Sequence, residues 1–208
     1  MIFKNFELGN KNIKEFNFFL LYGKNDGLKN EIIEKYFTKD FKGELNKYEE
    51  AEFLGNNDNI MEEFLNKSLF STEKIIIISR SSDKLVNTLE KILEKNLNDL
   101  KIIIKTGILE KKSKLRSLFE KSVSMVAIPF YEDDSRSLLP ILHEFINKHK
   151  LKISRESVNL ILDRVSGNRE NLKIELQKIF NYSLTNKNLT FETIKKLTNL
   201  AENYGVGE

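Results

Sequence analysis

Residues Phe16-Asn17-Phe18-Phe19-Leu20-Leu21-Tyr22 read as a buried strand. They run straight into Gly23-Lys24-Asn25-Asp26-Gly27-Leu28-Lys29-Asn30, after which a helical pattern begins. A loop that cradles phosphate in this setting has the pattern G-x-x-x-x-G-K-S/T. Its second glycine lets backbone N–H groups wrap the phosphates, and its hydroxyl holds Mg²⁺. Here Gly23 and Lys29 are in place, but Leu28 stands at the second glycine and Asn30 at the hydroxyl. A functional loop would assign phosphate contacts to Gly23, Gly27 and Lys29. The alternative is a strand–turn–helix corner with no ligand, because Leu28 adds a side chain where backbone must approach phosphate.

The first two-thirds of the chain alternates strand and helix patterns. Strands are expected over 16–22, 44–50, 73–79, 100–105 and 124–130. Helices are expected from Asp26, as cap, to Phe37, and over 58–66, 84–95 and 112–122. Ile75-Ile76-Ile77-Ile78 is an unbroken β-branched run of the kind buried on both faces of a parallel sheet. Repeated units of this type predict a parallel sheet covered by helices. Beyond Tyr131-Glu132-Asp133-Asp134 nothing reads as a strand. Ser137 is expected to cap a helix with Pro140 in its first turn, and Ser154 and Thr190 to cap later ones. Gly167-Asn168 breaks the pattern before a helix over 169–182. The domains are therefore expected at 1–133, an α/β domain, and 134–208, a small all-α bundle.

With 40% hydrophobic and 31% charged residues, the composition is that of a globular protein. The net charge of +3 lacks the strong basic excess of a dedicated nucleic-acid binder. The densest basic stretch, Lys111-Lys112-Ser113-Lys114-Leu115-Arg116, reads as a helix surface. There is no cysteine, which excludes disulfides and thiolate chemistry and fits a cytoplasmic protein. No apolar run is long enough to span a membrane. His143 and His149 do not share a helix face and have no triad partner, so neither a metal site nor a catalytic residue is expected. Glu132-Asp133-Asp134 reads as a solvated charge cluster at a helix start.

A parallel-sheet domain with a phosphate-loop relic and a small helical lid resembles the layout of the AAA+ ATPases. Four segments narrow the resemblance to delta subunits of the bacterial DNA polymerase III clamp loader. They are Leu20 to Leu28, Ser68-Leu69-Phe70-Ser71, Leu109 to Arg116, and Gly167-Asn168 with Glu175-Leu176-Gln177-Lys178-Ile179. The third, collar domain usual in delta subunits is missing from the resemblance, so the chain looks like the first two domains of such a protein.

The resemblance implies a protein that binds and opens the beta sliding clamp for loading on primed DNA, as a subunit of the polymerase III holoenzyme and without hydrolysing ATP itself. Partners would be the clamp, the other loader subunits and, indirectly, primed DNA, with no cofactor. The matching Leu69-Phe70 pair, flanked by Ser68 and Ser71, would enter the clamp's hydrophobic pocket. Read from the residues alone, that pair is instead a core pair leading into the next strand. A working ATPase of this class ends that strand with acidic residues, whereas this chain has Ser79-Arg80. Thr106 stands where related ATPases sense nucleotide and reads here as structural. The alternatives are an active ATPase with an atypical loop, or a nucleic-acid-binding module whose affinity would fall steeply with salt.

Overall fold

A computed structural model describes residues 1–56, 73–95, 99–186 and 188–198. The chain divides into two compact units, Met1–Tyr131 and Glu132–Glu208.

The first unit is built on five parallel strands: β1 (Phe18–Gly23), β2 (Glu44–Glu49), β3 (Lys74–Ser79), β4 (Leu100–Thr106) and β5 (Met125–Phe130). Their order in the sheet is β2-β3-β4-β1-β5. The β-branched run lies in β3, one strand in from the β2 edge, with Ile76 opposite Ile102 and Ile78 opposite Ile104, and β1 pairs Phe18 with Ile102 and Met125. Both faces of these strands are buried, so period-2 alternation gives two cores. Leu20, Ile76, Ile78, Ile102 and Ile104 face one way. Phe19, Leu21, Ile75, Ile77 and Ile103 face the other.

Helix α1 (Asp26–Ile33) covers the second face through Ile32 and Ile33. On the first face lie α2 (Glu50–Gly55) through Phe53, α3 (Val86–Glu94) through Leu89 and Ile92, and α4 (Lys114–Lys121) through Leu115 and Phe119. The handedness of parallel crossovers explains this division. The connection from β1 runs to the far edge of the sheet, while those from β3 and β4 run back, so their helices land on opposite faces. Pro129 lies in β5 at the sheet edge, where a missing N–H is tolerated. Ile2 adds one bridge to β5 at Ala127.

Local details differ from the sequence expectations. Asn25, not Asp26, caps α1, its carboxamide oxygen accepting from Leu28 N at 3.0 Å. The helix does not run unbroken to Phe37. After Ile33 it widens into a π-turn (Glu34–Thr38), closed by Lys39 N donating to Glu34 O at 2.8 Å. Helix α2 was not expected from the sequence. The helix expected over 58–66 lies outside the described residues.

The second unit contains α5 (Ser135–His149), α6 (Arg155–Val165), α7 (Arg169–Ser183) and α8 (Phe191–Leu197). Leu138, Leu142, Ile161, Leu172, Leu176, Ile179 and Ile194 form its core. Asp134 caps α5 in place of Ser137. Its carboxylate accepts from Ser137 N at 2.8 Å and the Ser137 hydroxyl accepts from Asp134 N at 3.0 Å. The earlier start puts Pro140 inside the helix rather than in its first turn. Asp133 is not solvated. It takes a two-pronged pair from Arg169, Nε to Oδ2 and Nη2 to Oδ1, both at 2.8 Å, with side chains only 4% and 11% exposed. Gly167, at φ +75°, is required at the turn before α7, because a Cβ there would lie 2.4 Å from Asp133 O.

Candidate functional site

In an open parallel sheet, ligands settle outside the carboxyl ends of the strands, where successive connections leave to opposite faces. Here that point lies between β1, which exits to α1, and its neighbour β4, which exits to α4. Gly23 ends β1 at φ +124°. A Cβ on it would lie 1.9 Å from Phe130 O, so the glycine is demanded by the close approach of β5 whether or not a ligand binds.

Lys29 occupies the crevice. Its side chain is fully buried, and Nζ donates to Gly23 O at 2.7 Å and to Thr106 O at 2.6 Å. The third contact is an ion pair with Asp26 Oδ1 at 2.7 Å. An ammonium has three donors, and all three meet protein acceptors. One bond goes to the end of β1 and one to the end of β4, so the lysine spans the switch point. Burial pushes the Lys29 pKa below the ordinary lysine value, while Asp26 pulls the other way.

Three amides of the helix start beside it also meet protein acceptors. Asp26 N donates to Lys24 O at 3.0 Å, Leu28 N to the Asn25 side chain and Lys29 N to Asn25 O at 3.1 Å. Asn25 is itself held by its Nδ2 donating to Tyr131 O at 3.0 Å. Gly27 is buried as the second residue of α1, so it lies within the helix rather than in a loop. A phosphate-wrapping nest needs these amides to point at a ligand. In this chain the Asn25 carboxamide takes the place a ligand oxygen would have.

The neighbouring strand ends follow the same pattern. β3 ends in Ser79, and Arg80 follows in a left-handed conformation at φ +56°, pairing with Glu49 at 3.2 Å. The two positions that close β3, Ser79 and Arg80, carry no carboxylate, and the nearby Glu49 and Glu50 are engaged by Arg80 and Ser82. The Thr106 hydroxyl donates to Ser81 O, linking the ends of β4 and β3. Ser68, Leu69, Phe70 and Ser71 lie outside the described residues.

Of the basic stretch, Ser113 caps α4, and Arg116 is packed rather than free. Its Nε donates to Glu120 at 2.8 Å and its guanidinium lies 5.1 Å over the Tyr22 ring. Burial pushes the Tyr22 phenol up to about 12, with Arg116 opposing the shift. Lys111, Lys112, Lys114 and Lys121 line an open groove between α3 and α4. In the second unit His149 lies between the rings of Phe145 and Phe180, at 4.3 and 4.2 Å. Among the described residues no group of three metal-ligating side chains occurs, and no helix is long and apolar enough to cross a membrane.

No family model and no curated protein matches the sequence. Solved structures do match in shape. Domain III of the replication initiation protein DnaA from Thermotoga maritima is 16% identical at a TM-score of 0.53, over 93% of this chain and 87% of that one. The RuvB Holliday junction branch migration motor of Thermotoga maritima is 11% identical at a TM-score of 0.55, over 87% of this chain and 60% of that one. The DNA clamp loader delta protein YqeN of Bacillus subtilis is 15% identical at a TM-score of 0.48, over 93% of this chain and 62% of that one. This chain thus spans less than two-thirds of the length of the last two. At these identities the likeness is one of fold: a parallel-sheet α/β domain of AAA+ type, followed by an all-helical part.

Proposed function

We propose that this chain is a clamp-loader subunit of delta type, which grips the beta sliding clamp and favours its opened ring during DNA replication. The AAA+ architecture serves as a scaffold for binding, and ATP is hydrolysed by partner subunits. The observation that supports a scaffold without hydrolysis is the Lys29 ammonium, buried at the switch point with all three donors on protein atoms. A β- or γ-phosphate would have to displace one of these contacts to reach the ammonium. The Asn25-capped helix start and the Ser79-Arg80 strand end remove the amide nest and the acidic group that hydrolysis requires.

The choice of partner rests on the sequence. Ser68-Leu69-Phe70-Ser71 has the order of the delta-type anchor, two large apolar residues between small polar ones. A protein that binds one clamp subunit better in the open ring than in the closed ring shifts the ring toward opening, with no covalent step. Primed DNA and the other loader subunits then enter as partners of the assembly.

The chain alone is expected to show no ATP turnover above background in a steady-state phosphate-release assay, with or without Mg²⁺. Turnover that vanished on Lys29→Ala would overturn the proposal in favour of an ATPase with an atypical loop.

A further inference from the structure

At the opposite end of the sheet, about 20 Å from Lys29 for a six-residue strand, the strands begin around a cleft of about 480 Å³. It is framed by Asn17 ahead of β1, Lys74 at the start of β3, Leu100 at the start of β4, and the π-turn after α1. The volume lies in the range of small-molecule sites, about 300–1,000 Å³.

The lining is chemically selective. Lys14, Lys35, Lys39, Lys74 and Lys101 face it, against Asp40, Glu73 and Asp99, a modest excess of positive charge. Lys74 is paired with Glu44 at 3.0 Å. Lys101 donates to Phe16 O at 2.8 Å and lies 5.5 Å over the Phe19 ring. Among the described residues Lys14 and Lys39 make no ion pair, and both are exposed at the rim. Burial lowers the Lys101 pKa, Glu73 opposing, and an anion beside it would offset that cost. The remaining wall is aromatic: Tyr36 and Phe41 line the cleft and are half-buried.

The π-turn (Glu34–Thr38) forms one side of the cleft. The i→i+5 bond from Lys39 N to Glu34 O inserts one residue into the helical register. Lys35 and Lys39, four residues apart, and Tyr36 beside Lys35 line the same cleft.

We propose that this cleft binds a phosphorylated flat-ring molecule of nucleotide size. Its ring packs against Tyr36 and Phe41, and its phosphate is held by Lys39, Lys14 and Lys101. The site is independent of the clamp reading and shares no residue with the Lys29 crevice. Aromatic faces combined with lysines suit either a free nucleotide or the 5′-phosphorylated end of a single strand.

The test is amide chemical-shift mapping of the intact chain with four probes: ADP, pyrophosphate, adenosine and a 5′-phosphorylated tetrathymidylate. ADP is expected to shift residues 13–17, 35–41, 73–75 and 99–101 at submillimolar concentration, at least tenfold more tightly than pyrophosphate or adenosine. Lys14→Glu with Lys39→Glu, both at exposed positions, is expected to weaken ADP at least tenfold. Tyr36→Leu keeps bulk but removes the ring face, and should erase the preference for ADP over pyrophosphate. Tighter binding of the oligonucleotide than of ADP at the same amides identifies a strand end as the source, and the reverse a free nucleotide. Shifts at 23–29 instead, equal affinity for pyrophosphate and ADP, or no shift at millimolar ADP would overturn the proposal.

Discussion

Leu69→Ala combined with Phe70→Ala is expected to weaken binding to the sliding clamp by roughly 10²- to 10⁴-fold and to leave the thermal unfolding transition where it was. Each side chain fully buried in a partner contributes roughly 1.5–3 kcal/mol. Two together give about 3–6 kcal/mol, and each 1.4 kcal/mol is about tenfold in affinity. Adjacent apolar anchors in one pocket behave as a hot spot, so most of the binding energy is concentrated there. Surface plasmon resonance against the immobilised clamp reads the affinity, and circular dichroism melting reads the fold. The two measurements together separate the proposal from its plain rival. If the pair belonged to the hydrophobic core, Leu→Ala alone would cost about 2–5 kcal/mol of stability, and the melting temperature would fall with the clamp affinity unchanged. Ser68→Ala and Ser71→Ala flank the anchors and should change affinity little.

Lys29→Ala is expected to destabilise the first unit by about 3–5 kcal/mol in urea unfolding. The loss has two parts. Truncating a long buried side chain leaves a cavity. Gly23 O and Thr106 O, which now accept from Nζ at 2.7 and 2.6 Å, are left with a lost partner, at about 1–3 kcal/mol for a buried polar group. Lys29→Met refills the volume and should recover about 1–2 kcal/mol of this. Such a penalty is a large fraction of the stability of an ordinary domain, about 5–15 kcal/mol. In a working nucleotide loop the same substitution removes a phosphate ligand and leaves the apo fold largely intact, so the stability readout distinguishes plug from ligand.

The pH dependence has a definite sign. Burial lowers the Lys29 pKa in the folded chain below its ordinary 10.5. Between the two values the unfolded chain binds more protons than the folded one, so stability rises with pH in that interval. The wild type should therefore gain stability relative to Lys29→Met as the pH climbs toward 10.5. A parallel course for the two proteins would mean that the ammonium is not desolvated.

The strands were legible because isoleucine-rich runs leave few other options: a stretch like Ile75 to Ile78, buried on both faces, has to be a central parallel strand. Helix caps were less so. Asn25 and Asp26 are both good capping residues, as are Asp134 and Ser137. Only the side-chain geometry decides which oxygen meets the free amides. Helix α2 escaped because Glu50–Gly55 contributes a single buried residue, Phe53, too little for a periodic signal. The π-turn escaped because an inserted residue looks like ordinary helix sequence. At the candidate site, the loss of the second glycine and of the hydroxyl was readable. The inward turn of Lys29 was not, because a motif places a lysine without fixing where its ammonium points. The burial of Asp133 against Arg169 was missed because the two lie far apart in the chain.

The proposed function requires that this chain open the clamp ring without nucleotide. Energy transfer between two dyes placed across one subunit interface of the sliding clamp measures that directly. Adding the chain in nucleotide-free buffer should lower the transfer to a saturable limit, and the Leu69→Ala, Phe70→Ala protein should leave it unchanged. Transfer that stays constant at saturating wild-type chain, or that falls only when ATP is added, would contradict the account.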